Sequence, residues 1–165
     1  MARIRTIKPE AFVSESLAQV SLTAERTFFG LLTQADDEGR YRCNAAIIAG
    51  ALWPLRPAHT PVHVEQDLQQ LAAAGLICRY TGCDGREYLH ITGWAKHQRI
   101  NRPTASRLPP CPQHHPTARC GTCAQDHCAG KPAALSDSLS PHTSLQQPPT
   151  ATTVPTTPTP QDLLH

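Results

Sequence analysis

Apolar positions in the first hundred residues follow helical spacing in some stretches and strand spacing in others. Ala24, Phe28, Leu31, Leu32 and Ala35 share one face at 3.6 residues per turn, with Ser21 or Thr23 placed to cap, and predict a first helix reaching about Ala35. Asp36-Asp37-Glu38-Gly39 breaks it, and Arg40-Tyr41-Arg42-Cys43 alternates as a short strand does. Asn44 caps a second helix through Ile47, Ile48, Ala51 and Leu52, stopped by Pro54. Thr60-Pro61 starts a third, with Val64, Leu68 and Leu71 as its buried face and Gly75 as its left-handed end. Leu76–Tyr80 and Glu87–Ile91 read as strands of a hairpin closed over Gly82-Cys83-Asp84-Gly85, where Asp-Gly is the turn signal.

The order helix, strand, helix, helix, hairpin predicts an α+β winged-helix domain over residues 1–102. In that arrangement the third helix faces DNA and the hairpin is the wing. Composition then changes twice. Residues 103–131 are rich in Pro, Cys and His, and residues 132–165 hold seven Pro and eleven Ser or Thr with only Asp137 and Asp162 charged. The last segment has too little apolar surface to offset the entropy of ordering and reads as a disordered tail.

Net charge is +2 over 165 residues, so only the distribution of charge bears on a nucleic-acid partner. Arg3, Arg5 and Lys8 make a basic arm at one end, and Lys96, Arg99 and Arg102 follow the hairpin at the other, continued by Arg107. Arg40, Arg42, Arg79 and Arg86 lie on or beside the strands. The face of the third helix opposite its apolar stripe shows His63, Gln66, Gln69 and Gln70, and Gln pairs bidentately with adenine in the major groove. Glu65 and Asp67 flank that face, where they would sit poorly against phosphate. These residues make a duplex-DNA site in which the arms supply affinity and the helix reads bases.

The chain start lacks a secretory signal, and no stretch approaches a membrane span, so the expected location is the cytoplasm with no membrane partner. Seven cysteines, four of them crowded together, fit a reducing compartment better than a disulfide framework. Residues 111–128 carry four Cys and three His. Two pairs have metal-ligand spacing: Cys111 with His114, and Cys120 with Cys123. Together they would hold one structural Zn²⁺, with His115, His127 or Cys128 as substitutes and Gly121 easing the second turn. Cys43, Cys78 and Cys83 are isolated in the sequence and read as structural. There is no phosphate loop, no nucleophile with a partnered base and no pair of carboxylates outside the 36–38 turn, so no catalytic site is expected.

Arg3-Ile4-Arg5-Thr6-Ile7-Lys8-Pro9-Glu10, Ala35-Asp36-Asp37-Glu38-Gly39-Arg40, Trp94-Ala95-Lys96-His97-Gln98-Arg99-Ile100 and Ser106-Arg107-Leu108-Pro109 occur in this order. Residues 3–109 thereby resemble the N-terminal winged-helix domain of phage and prophage replisome-organiser or helicase-loader-like proteins of actinobacterial phages. The resemblance implies a helix-turn-helix DNA-binding role in phage DNA replication, with replication proteins or a second copy as further partners. Longer members continue into a second structured domain, whereas this chain continues into the Cys/His segment. The alternatives are a protein-interaction module and a phage transcription regulator of similar fold.

Overall fold

The computed structural model describes residues 3–126, 128 and 131–132. His127 and the segment expected as a tail from residue 133 onward lie outside the described residues. A 3-10 turn, Pro9–Val13, and α1, Glu15–Ala18, precede α2 at Leu22–Gln34. Then come β1, Arg40–Arg42; α3, Ala45–Leu52; α4, Pro61–Ala73; β2, Ile77–Thr81; β3, Glu87–Ile91; α5, Trp94–His97; and β4, Lys131–Pro132. The chain is a mixed α+β fold with a small antiparallel sheet in the order β1-β3-β2-β4.

Local chemistry sets the helix starts. Ser21 Oγ accepts the Ala24 N–H, and Asn44 Oδ1 accepts from both Ala46 and Ile47. At α4, Thr60 and His63 form a reciprocal capping box with Pro61 in the first turn. Gly75 closes the helix at φ +69°. Helices α2, α3 and α4 pack around Leu31, Ile48, Val64, Leu68 and Leu71, all 0% exposed. Each such side chain contributes about 1.5–3 kcal/mol by leaving water.

Asp67 departs from the sequence reading. It is 2% exposed, and its carboxylate accepts Thr23 Oγ1 at 2.9 Å and Thr27 Oγ1 at 2.7 Å, with His59 Nε2 at 2.8 Å. Position 67 is three residues after Val64 and four before Leu71, so it lies on the buried stripe and not on its flank. Trp53 Nε1 donates to Thr27 Oγ1 at 3.1 Å and links the end of α3 to the same network.

The N-terminal arm is folded onto the domain. Arg5 donates to Asp37 at 2.9 Å with its side chain 7% exposed, and its guanidinium lies 5.1 Å from the Trp94 ring centroid. Arg3 also pairs with Asp37, Lys8 Nζ donates to the Lys96 carbonyl, and Gln98 exchanges two hydrogen bonds with Thr6. The Thr104 N–H and the Arg5 side chain hold the Asp37 carboxyl down from 3.8 to about 2. A carboxylate depressed in the fold binds its proton more readily when unfolded, so its contribution is present above 3.8 and is lost as pH falls toward about 2. Acid titration followed by Trp fluorescence is expected to show this loss, and Asp37→Asn is expected to flatten it. An acid profile identical in the variant would refute the anchor.

Candidate metal centre and nucleic-acid interface

The Cys/His segment is laid against the hairpin. Leu108 and Cys111 pack on Tyr80, Tyr88 and Cys78, and Tyr80 Oη donates to the Pro109 carbonyl at 2.7 Å. Ser106 Oγ donates to Asp36 at 2.5 Å while its N–H donates to Glu38 at 2.9 Å. The acidic turn after α2 therefore receives the segment. All described residues belong to one compact unit, Met1–Ala134, so the composition shift near residue 103 does not mark a separate body. Pro132, expected to open the tail, pairs with Tyr80 in β4.

This docking brings the hairpin turn to the second cysteine pair. Cys83, Cys120, Cys123 and Cys128 have sulfurs within 4.8 Å of one another, close enough to hold a metal ion. Cys83 and Cys120 sulfurs stand 3.8 Å apart, and those of Cys123 and Cys128 stand 3.5 Å apart. A tetrahedral zinc with Zn–S near 2.3 Å separates its sulfurs by about 3.8 Å, so the spacing is compatible with zinc and far from a disulfide's roughly 2.0 Å. Burial pushes the Cys120 thiol up, but the N–H groups of Cys123 and Thr122 outweigh it and bring it down to about 7. Cys128 and Cys83 are pushed up, first by burial. Four crowded thiols resist ionising together, and a dication among them supplies the missing opposite charge.

Gly121 makes the turn possible. A Cβ there would meet the Ser106 carbonyl oxygen at 2.2 Å and Arg107 backbone atoms at 2.5 Å, and backbone cannot yield as a side chain can. Gly121→Ala is expected to weaken zinc binding by at least tenfold in a chelator competition, and equal affinity would contradict the packing described.

The four residues expected to share one ion are divided between two places. Cys120 and Cys123 join Cys83 and Cys128, whereas Cys111 and His114 sit with Cys78. Each spacing pair is kept as a pair. The partners supplied by the hairpin, Cys78 and Cys83, were missed because they stand alone in the sequence and come near only when the segment folds back. The one local signal was Cys83's place in the hairpin turn.

Facing outward from α4 are His63, Gln66 and Gln69, all exposed, while Gln70 is partly buried and accepts the Ser21 N–H at 2.9 Å. His63 also serves the capping box, and Gln69 donates to Glu65. Arg79 reaches Glu65 at 2.6 Å, so β2 runs back beside α4 and carries the hairpin turn toward the N-terminal end of α4. At that end Arg42, Asn44, Ile47 and Arg86 line one shallow depression beside the start of α3. Arg86 is 63% exposed and 3.7 Å from Asp84, and Arg42 is exposed. Lys96, Arg99 and Arg102 are exposed as well, but they follow Ile91, at the opposite end of the hairpin. Arg3, Arg5 and Lys8 are engaged near that same end by Asp37 and Lys96. Among the described residues no helix is long and apolar enough to cross a membrane. No family profile, curated protein or solved structure matches the chain.

Proposed function

We infer that this chain is a winged-helix protein that binds duplex DNA and performs no catalysis, with α4 as its reading helix and the β2–β3 hairpin as its wing. The observation that carries the reading is the outward face of α4, His63, Gln66 and Gln69, next to a hairpin whose turn end carries Arg86 with Arg42 nearby. Gln side chains suit adenine edges, and the two arginines suit flanking phosphates. Zinc in the four-cysteine cluster would tie the wing tip to the segment behind it, as a closed structural site. A role in phage DNA replication, in the host cytoplasm, rests on the resemblance of residues 3–109 to replisome-organiser proteins.

The charge pattern moves the expected phosphate contacts from the folded N-terminal arm to Arg42 and Arg86. Each phosphate neutralised adds about 0.9 to the slope of log affinity against log salt, so Arg42→Ala with Arg86→Ala should flatten it by roughly two. Gln66→Ala with Gln69→Ala should leave the slope unchanged while removing about 1–3 kcal/mol of base discrimination per lost pair. Fluorescence anisotropy on labelled duplexes over a salt series reads both. An unaltered slope in the arginine variant would refute this placement.

A second reading, a protein-docking role in primosome assembly or self-association, is favoured by Leu55 and Val62. They are 89% and 67% exposed on the helix-turn-helix. Leu55→Ser with Val62→Ser should leave duplex binding intact and abolish association if a protein partner is the true occupant.

A further inference from the structure

Cys78, Cys111 and His114 form a second group of metal-ligand atoms within 4.8 Å of one another. The Cys111 sulfur lies 3.4 Å from the Cys78 sulfur and 3.3 Å from His114 Nδ1. Two of these residues come from a Cys-x-x-His turn and the third from β2. A turn of that length aims both its side chains at one point, so the group has the construction of half a zinc site facing a strand.

The sheet brings a candidate for the fourth position beside this group. Cys78 and His90 are direct partners in the β2–β3 ladder, so their side chains leave the same face of the sheet with Cβ atoms about 5 Å apart. His90 is 3% exposed, and neither of its ring nitrogens has a hydrogen-bond partner. Buried polar atoms are rarely left so, because each costs about 1–3 kcal/mol. Its ring stands 5.1 Å from the His114 ring, centroid to centroid. Coordination by one nitrogen gives the lone pair a partner that the protein itself does not provide. His115 is also close, its ring edge-on to His90 at 4.7 Å and its Nδ1 without a partner, but of the two histidines of the turn only His114 lies in one ligand group with Cys78 and Cys111.

We propose that the chain holds a second, structural metal ion of the zinc class, bound by Cys78, His90, Cys111 and His114, between the sheet and the segment laid over it. Two thiolates and two imidazoles are a closed tetrahedral set for zinc and leave no position for water. The two sites share no ligand: one closes on the hairpin turn, the other on the hairpin's mid-strand residues. Together they use six of the seven cysteines, leaving Cys43 in the core.

Native mass spectrometry of the full chain, purified under reducing conditions and supplied with Zn²⁺, tests this. Two zinc ions per chain are expected. Cys78→Ser, His90→Gln and His114→Ala should each reduce the count to one, as should Cys83→Ser through the other site. Cys78→Ser combined with Cys83→Ser should bind none. His114 is exposed, so its variant keeps the fold even where Cys78→Ser does not. His115→Ala should keep two. A wild-type count of one that only Cys83→Ser abolishes would overturn the second site and leave the first standing. Two ions retained in His90→Gln, or one lost in His115→Ala, would overturn the ligand set.

Discussion

Chelation of metal from the folded protein is expected to lower its melting midpoint by on the order of 10 °C, and Cys83→Ser is expected to reproduce the part of that loss that the four-cysteine site supplies. Binding to the folded state alone at a thousand times the dissociation constant adds about 4 kcal/mol, and each kcal/mol moves a domain of this size by several degrees. The effect should be concentrated in the hairpin. Cys83 is the one ligand of its cluster on the hairpin, and the other three lie between residues 120 and 128. Near-ultraviolet circular dichroism from Tyr80 and Tyr88, stacked at 5.9 Å, reports that region. A protein that releases stoichiometric metal to chelator with no change in melting or in the tyrosine signal would contradict the structural role.

Asp67→Ala should be strongly destabilising, costing about 1–3 kcal/mol for each donor it strands in the interior, because it removes the acceptor they share. Thr27 Oγ1 and His59 Nε2 would lose their acceptor in the interior, and Trp53 would lose the order of the hydroxyl it donates to. Glu65→Ala is the control. It lies on the same helix but is more exposed, and its partner Arg79 keeps Glu87 at 3.6 Å as a second carboxylate, so the cost should stay within about 1 kcal/mol. Urea unfolding of the two variants separates them, and equal losses would show that Asp67 does not organise the core.

The helices and the hairpin were legible because their signals are local. Ser21, Asn44 and Thr60-Pro61 cap the helices expected of them, and Asp84-Gly85 turns the hairpin with Gly85 at φ +74°. The short elements were not legible. Pro9–Val13, Glu15–Ala18 and Trp94–His97 hold four or five residues each, too few for a period to register. Thr23, a candidate cap, instead donates to Asp67, and choosing Ser21 needed the tertiary partner. The two ligand pairs were legible from their spacing. Which pair joins which hairpin cysteine is decided by the docking of residues 106–111 on Asp36, Glu38 and Tyr80, contacts between positions about 30 to 70 apart in sequence that no local rule ranks. The basic arm was read correctly as basic. Its ties to Asp37 and Trp94 were invisible for the same reason.

The measurement that bears most directly on the central claim is a ¹⁵N–¹H correlation spectrum of the zinc-loaded protein titrated with a duplex oligonucleotide at low salt. Shifts are expected to concentrate on His63, Gln66 and Gln69 of α4, on Arg42 and Asn44 beside α3, and on Arg86 in the hairpin, while Arg5, Thr6 and Gln98 stay in place. Shifts confined to the Lys96–Arg102 end, or no shift at any duplex concentration, would contradict it.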